Sequence, residues 1–137
     1  MELLATQARR GVDVRLLVGG PRTDVRMARL AGRARYEPLL DAGVRIYEWQ
    51  PSTLHAKTLV VDGLWSAVGT MTFDNRSLAL NEEVMLMVLD DEFGMRMNAL
   101  FLNDLHDAEE ITLVTFRQRP WSARLAEKAI RRVTRLL

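Results

Sequence analysis

Two stretches frame the fold: Gly11-Val12-Asp13-Val14-Arg15-Leu16-Leu17-Val18-Gly19-Gly20-Pro21 and Gly43-Val44-Arg45-Ile46-Tyr47-Glu48-Trp49. In the first, Val12, Val14, Leu16 and Val18 recur every second residue against Asp13 and Arg15, the period of a strand with one covered face. Gly19-Gly20-Pro21 breaks it. The second opens after Gly43 and reads as a strand from Val44 to Trp49. Between them Thr23 or Asp24 can cap a helix running to about Ala42, with Met27, Leu30, Ala31, Ala34, Leu39 and Leu40 as its apolar residues. Pro38 is expected to kink or divide it. Strand, helix, strand at this spacing is a parallel βαβ unit, so the fold class is α/β.

Working outward, Glu2–Arg10 reads as a helix stopped by Gly11. Downstream of the short loop Gln50–Leu54, His55–Val61 and Leu64–Val68 read as strands. Asp62-Gly63 between them is a two-residue hairpin signal, because both residues tolerate positive φ. Thr70–Ser77 is a polar turn. Glu83–Leu89 is apolar without alternation, which predicts cover on both faces. Asp90–Asp107 and Pro120–Leu137 read as helices, the latter with Trp121, Leu125, Ala129, Val133 and Leu136 at helical spacing. No repeat, low-complexity tract or linker interrupts the 137 residues, so residues 1–137 are expected to form one compact unit.

Composition narrows the function. Hydrophobic residues make up 48% and charged residues 27%, an ordinary globular balance. With no cysteine, disulfides, thiolate nucleophiles and cysteine-based zinc sites are excluded. The net charge of +1 argues against a chain-wide polyanion binder. The end is basic, however: Arg117, Arg119, Arg124, Lys128, Arg131, Arg132 and Arg135 face the single acid Glu127, and read equally as a phosphate-meeting surface or a solvated helix face. No stretch approaches the ~18–20 apolar residues of a membrane-spanning helix, and Met1-Glu2-Leu3-Leu4 has no signal-peptide pattern.

The segment that carries chemistry is Leu54-His55-Ala56-Lys57-Thr58-Leu59-Val60-Val61-Asp62-Gly63. On a strand, His55 and Lys57 at i and i+2 share a face. Imidazole beside ammonium suits a phosphate oxyanion: lysine neutralises charge, while histidine attacks phosphorus or shuttles a proton. Asp62, in the hairpin turn, is placed to hold the turn or a neighbouring cation. His106 lies among Asp104, Asp107 and Glu109 and reads as a surface residue. Three such residues at fixed spacing arise by chance in on the order of one in a hundred chains of this length, so spacing alone does not decide.

The pattern continues, however. His55, Lys57 and Asp62, followed by Gly69 and Thr70, resemble the phospholipase D superfamily signature H-x-K-x-x-x-x-D followed by G-[S/T]-x-N. Asp74, Arg76, Ser77, Asn81 and Glu83 resemble the extension found in its cardiolipin-synthase branch. Arg10–Val18 and Leu39–Glu48 are similar to the two strands that precede the motif there. The resemblance runs from about Glu2 to Phe93. It implies a phospholipase D-like α/β/α sandwich with a mixed sheet, of which this chain is one half-domain. The implied reaction is phosphodiester transfer through a phosphohistidine, with no metal or other cofactor. His55, Lys57, Asp62 and Glu83 are the implied catalytic residues, and Lys57, Thr70, Thr72 and Asn81 the implied phosphate ligands. Glu83 is expected to hydrogen-bond the His55 ring, and Asp74 and Arg76 to form a structural pair in the turn. Thr72 departs from the pattern, standing where the family has asparagine and offering one hydroxyl in place of two amide N–H donors.

The chemistry wants two such motifs and the chain holds one. It is expected to be the C-terminal half of a two-motif enzyme, a single-motif member completed by homodimerisation, or an incomplete remnant. A start inside a helix of mid-domain character favours a fragment or a truncated product. The implied partners are a phosphatidylglycerol-like phospholipid and a second half-domain, with peripheral contact at the cytoplasmic side of a bacterial membrane. A dimeric endonuclease using the same His55 and Lys57 is the alternative.

Overall fold

A computed structural model describes residues 1–23, 26–71 and 82–123. The elements in chain order are α1 (Glu2–Arg9), β1 (Arg15–Gly19), α2 (Arg26–Arg33), α3 (Tyr36–Asp41), β2 (Arg45–Trp49), β3 (Thr58–Val61), β4 (Trp65–Gly69), β5 (Met85–Leu89), α4 (Asp91–Asp104), a 3-10 turn (Leu105–Asp107), β6 (Ala108–Ile111) and α5 (Leu113–Arg117). They fall into two compact units. One holds Met1–Leu54 and the described residues from Asp107 onward, and the other holds His55–His106. The single unit expected over residues 1–137 thus contains two clusters, each with its own hydrogen-bonded sheet.

In the first unit β1 pairs with β2 in parallel, from Arg15 opposite Arg45 to Gly19 opposite Trp49. This is the βαβ unit the two quoted stretches require. β6 pairs with β2 antiparallel, Ile46 opposite Ile111 and Trp49 opposite Ala108, which makes the sheet mixed. Tyr36, Leu39, Val44, Ile46, Ile111 and Phe116 form the core, with Val14, Leu16 and Val18 of β1 packed against it, the residues whose period marked the strand. Gly43 ends the helical segment at φ +93°, a left-handed conformation that glycine adopts without a Cβ penalty. The helical stretch is divided as expected, but at Ala34-Arg35, ahead of Pro38. Pro38 is the third residue of α3, in the first turn, where a missing N–H breaks no intrahelical bond.

Glu48 on β2 is 2% exposed. Arg29 donates to its Oε2 at 2.6 Å and Arg33 to its Oε1, both from α2. The guanidinium of Arg33 also lies 5.4 Å from the Phe116 ring centre and 5.7 Å from that of Tyr36. Burial, and then the Glu48 carboxylate, push the Tyr36 hydroxyl well above its usual range. A carboxylate this deep is tolerated because two cations meet it.

The second unit is an antiparallel meander in the order β3-β4-β5. Asp62 (φ +54°) and Gly63 (φ +64°) are both left-handed, and the Leu64 N–H donates to the Val61 carbonyl at 3.1 Å, closing the two-residue turn that the sequence announces. Directly opposed residues share a face, so Leu59, Ala67 and Met87 form one row and Val61, Trp65 and Leu89 the next. α4 begins at the Asp90 N-cap, whose side chain accepts from the Phe93 N–H. It presses on the hairpin: a Cβ on Gly94 would stand 2.2 Å from the Gly63 carbonyl oxygen. The expectation that β5 is covered on both faces is not met within this chain. Met87 is 66% and Leu89 74% exposed, and Leu86 on the opposite face is exposed too. Among the described residues, β5 pairs only with β4. The helix expected from Pro120 is present over residues 121–123 and otherwise lies outside the described residues. Among the described residues, no helix is long and apolar enough to cross a membrane.

Candidate active site

The site is built at one end of the β3-β4-β5 sheet, where its strands are held together beyond their regular spans. The Gly69 N–H donates to the Lys57 carbonyl at 3.1 Å, extending the β3–β4 ladder back to Lys57. The Thr70 N–H donates to the Val84 carbonyl at 2.9 Å, extending the β4–β5 ladder to the residue next to Glu83. Lys57, Gly69 and Met85 therefore lie in one row, with Thr70 and Glu83 just beyond it. The regular part of β3 starts at Thr58, three residues later than the sequence suggests.

His55 is exposed, and its ring makes no hydrogen bond among the described residues. Lys57 is half-buried, and its Nζ donates to the His55 carbonyl oxygen at 2.9 Å. The ammonium is thus held against the main chain of the residue that bears the imidazole. Carbonyl and phosphate oxygens compete for the same N–H donors, so an incoming anion can take them without rearrangement of the strand.

Glu83 is half-buried. The Thr70 hydroxyl donates to its Oε2 at 2.5 Å, and the Val84 N–H donates to the same hydroxyl at 3.1 Å. The expected bond from Glu83 to the His55 ring is not among the hydrogen bonds of the described residues. Thr70 is where the motif puts it, but its hydroxyl has a single proton and Glu83 takes it.

Asp62 lies apart from the other candidates. Grouped with His55 and Lys57 as a catalytic candidate, it sits in the hairpin turn at the far end of β3, roughly 16 Å of strand from Lys57 at ~3.3 Å per residue. Its motif position reflects the turn: aspartate is one of the few side chains that accepts φ above zero. Thr72, Asn81, Asp74 and Arg76 lie outside the described residues. His106 is exposed in the 3-10 turn, its Nδ1 3.0 Å from the Asn103 carbonyl oxygen, as its surface reading predicts.

Gly69 has a role that motif matching does not disclose. A Cβ there would lie 2.1 Å from the Val84 oxygen and 2.9 Å from the Met85 Cα. Only glycine lets β5 approach this closely, and that approach delivers Glu83 to Thr70. An isolated glycine at a strand end before a polar turn is the one sequence signal for it.

Comparison with known proteins gives the family and the fold. Residues 1–105 match the family described as cardiolipin synthase, PLD-like domain. The cardiolipin synthase of Geobacillus sp. (strain WCH70) is 39% identical over 127 residues, 93% of this chain and 25% of that protein. Cardiolipin synthase A of Serratia proteamaculans (strain 568) is 37% identical over 129 residues, 93% of this chain and 26% of that protein. That of Yersinia pestis bv. Antiqua (strain Angola) is 47% identical over 95 residues, 69% of this chain and 19% of that protein. The chain thus spans about a quarter or less of these relatives. The crystal structure of the phospholipase D family member Nuc from Salmonella typhimurium superposes with a TM-score of 0.69 at 16% identity, covering 81% of this chain and 72% of that one, and so shares the fold. With a mixed α/β architecture and a family match over most of its length, the chain belongs to the phospholipase D-like domain family of cardiolipin synthases.

Proposed function

We propose that this chain is one half-site of a phosphatidyltransferase that makes cardiolipin from phosphatidylglycerol-like lipids. The observation that carries the reading is the Lys57 ammonium held on the His55 main chain, at the sheet end that also holds Glu83. Lys57 binds the phosphate and offsets its charge. A His55 ring nitrogen attacks phosphorus, forming a P–N bond as the P–O bond to the glycerol headgroup breaks. A histidine of a second half-domain gives the departing alkoxide its proton. The hydroxyl of a second lipid then attacks phosphorus, returns a proton to that histidine, and displaces His55. Two phosphatidylglycerols become one cardiolipin and one glycerol. In-line displacement needs groups on both sides of phosphorus, so the second half comes from upstream in a longer chain or from a second copy of this one. The exposed apolar residues Leu59, Val61, Met87 and Leu89, in the unit that carries the site, support an assembly larger than this chain. The protein works peripherally, at the cytoplasmic side of a bacterial membrane.

The test incubates wild type and His55→Ala with phosphatidylglycerol vesicles and, separately, with single-stranded DNA. Cardiolipin and glycerol should form with wild type, with specific activity that falls on dilution or appears only when a partner half is added. They should vanish in a folded His55→Ala protein. Full-rate turnover by the variant, or by a dilute monomer, refutes the mechanism. Cleavage of DNA with no lipid product refutes the substrate class.

A further inference from the structure

We propose that Thr70 is a positioning residue that sets the Glu83 carboxylate, not a ligand of the substrate phosphate. This inference rests on the half-site reading above and refines it. The Thr70 hydroxyl makes two contacts of opposite polarity: it donates to Glu83 Oε2 at 2.5 Å and accepts from the Val84 N–H at 3.1 Å. The Thr70 main-chain N–H donates in turn to the Val84 carbonyl at 2.9 Å. The hydroxyl thus replaces a main-chain carbonyl as the acceptor for Val84, and β4 grips residues 83–84 from both sides. With its one proton on Glu83, the oxygen presents only a lone pair elsewhere, which a phosphate oxyanion repels. Gly69, the preceding residue, permits the close approach of Val84 that this grip needs. Among the described residues, the charged and titratable groups at this sheet end are His55 and Lys57, with Glu82 beside Glu83.

The direct readout is the ¹³C signal of the Glu83 carboxyl, followed through its titration in the full chain. An O–H donor favours the ionised carboxylate. Thr70→Val should therefore raise the Glu83 midpoint by on the order of one pH unit, and Thr70→Ser, which keeps the hydroxyl, should restore it. An unchanged midpoint in a folded Thr70→Val protein overturns the proposal, whether or not the chain turns over lipid. In the assembly that converts phosphatidylglycerol, Thr70→Val should lower kcat about tenfold, the worth of one strong hydrogen bond, with KM within twofold. On a Glu83→Gln background, Thr70→Val should cost little more. A raised KM at unchanged kcat, or additive losses, identifies a phosphate ligand and overturns the proposal. Absence of lipid turnover in wild type counts against the half-site reading alone, and the carboxyl titration then decides for Thr70.

Discussion

Substituting Gly69 by alanine tests whether the site depends on a close strand approach. The new Cβ would stand 2.1 Å from the Val84 carbonyl oxygen, 2.5 Å from the Met85 sulfur and 2.9 Å from the Met85 Cα. The sulfur can swing away, but the oxygen and Cα belong to the backbone of the neighbouring strand. Restoring an ordinary contact of about 3.5 Å to the oxygen requires a shift of roughly 1 Å or more. The Thr70 N–H to Val84 bond, now 2.9 Å, would then stretch past hydrogen-bonding range. Overpacking costs typically 1–3 kcal/mol and the lost bond about 1 kcal/mol, against a gain of ~0.4–1 kcal/mol from a less flexible unfolded chain. The net is a destabilisation of about 1–3 kcal/mol, read by urea denaturation with the slope unchanged. Gly32→Ala is the control. It sits in α2 with nothing within 4 Å of its would-be Cβ, so it should stabilise by about 0.5–1 kcal/mol through helix propensity. Gly69→Ala at or above wild-type stability would show that β5 does not approach Gly69 as described, and would remove the reason for glycine in the motif.

Glu48→Gln should cost roughly 3 kcal/mol and lower the melting temperature by about 6–12 °C, because Arg29 and Arg33 keep their charges with only 25% and 17% of their side chains exposed; a loss under about 0.5 kcal/mol would mean water already solvates the cluster. Ser66 is fully buried and its hydroxyl has no partner among the described residues, so Ser66→Ala should be neutral or stabilising by about 1 kcal/mol in a thermal melt, whereas a clear destabilisation would reveal a hidden hydrogen bond. Arg15 holds the Asp13 carboxyl, and Arg45 the Glu110 carboxyl, below their usual range. Depressed carboxylate values contribute stability above the unfolded-state range near pH 4 that is lost as pH falls through the folded values, so the Asp13→Asn, Glu110→Gln double variant should show a shallower acid limb than wild type in melts between about pH 5 and 2.

The β1-α-β2 unit was legible because Val14, Leu16 and Val18 contact the core at the period their spacing declares. The Asp62-Gly63 turn was legible because its conformation is local. Where partners decide, the sequence was silent. β6 is Ala108-Glu109-Glu110-Ile111, a poor strand by composition. It forms because β2 pairs with it and Arg45 holds Glu110 through two bonds of 2.9 and 3.1 Å. Glu48 interrupts any in-and-out rhythm on β2, where Ile46, Tyr47 and Glu48 are all buried, and its partners lie 15 and 19 residues upstream on another element. At the site, the residues of the motif His55, Lys57, Thr70 and Glu83 come to one end of the sheet. The motif could not tell that the Thr70 hydroxyl would donate to Glu83. Spacing fixes which residues are near in chain order; hydrogen-bond partners depend on register between strands far apart in that order.

β5 carries this distinction furthest. Val84-Met85-Leu86-Met87-Val88-Leu89 has the unbroken apolar run of a strand sandwiched between two layers, yet Leu86, Met87 and Leu89 are exposed. Full burial of three such side chains would contribute about 5–9 kcal/mol at ~1.5–3 kcal/mol each, comparable to the whole stability of a small domain. An apolar run records the surface a strand is suited to bury, and that surface need not come from the same chain. Here the strand bordering the site has unmet apolar area, the chain spans about a quarter of its relatives' length, and the proposed chemistry calls for a second histidine that His106, exposed and bonded to Asn103, does not supply. A second half-domain answers both the chemical and the packing deficit, and the two lie in the same unit, on the strand that presents Glu83.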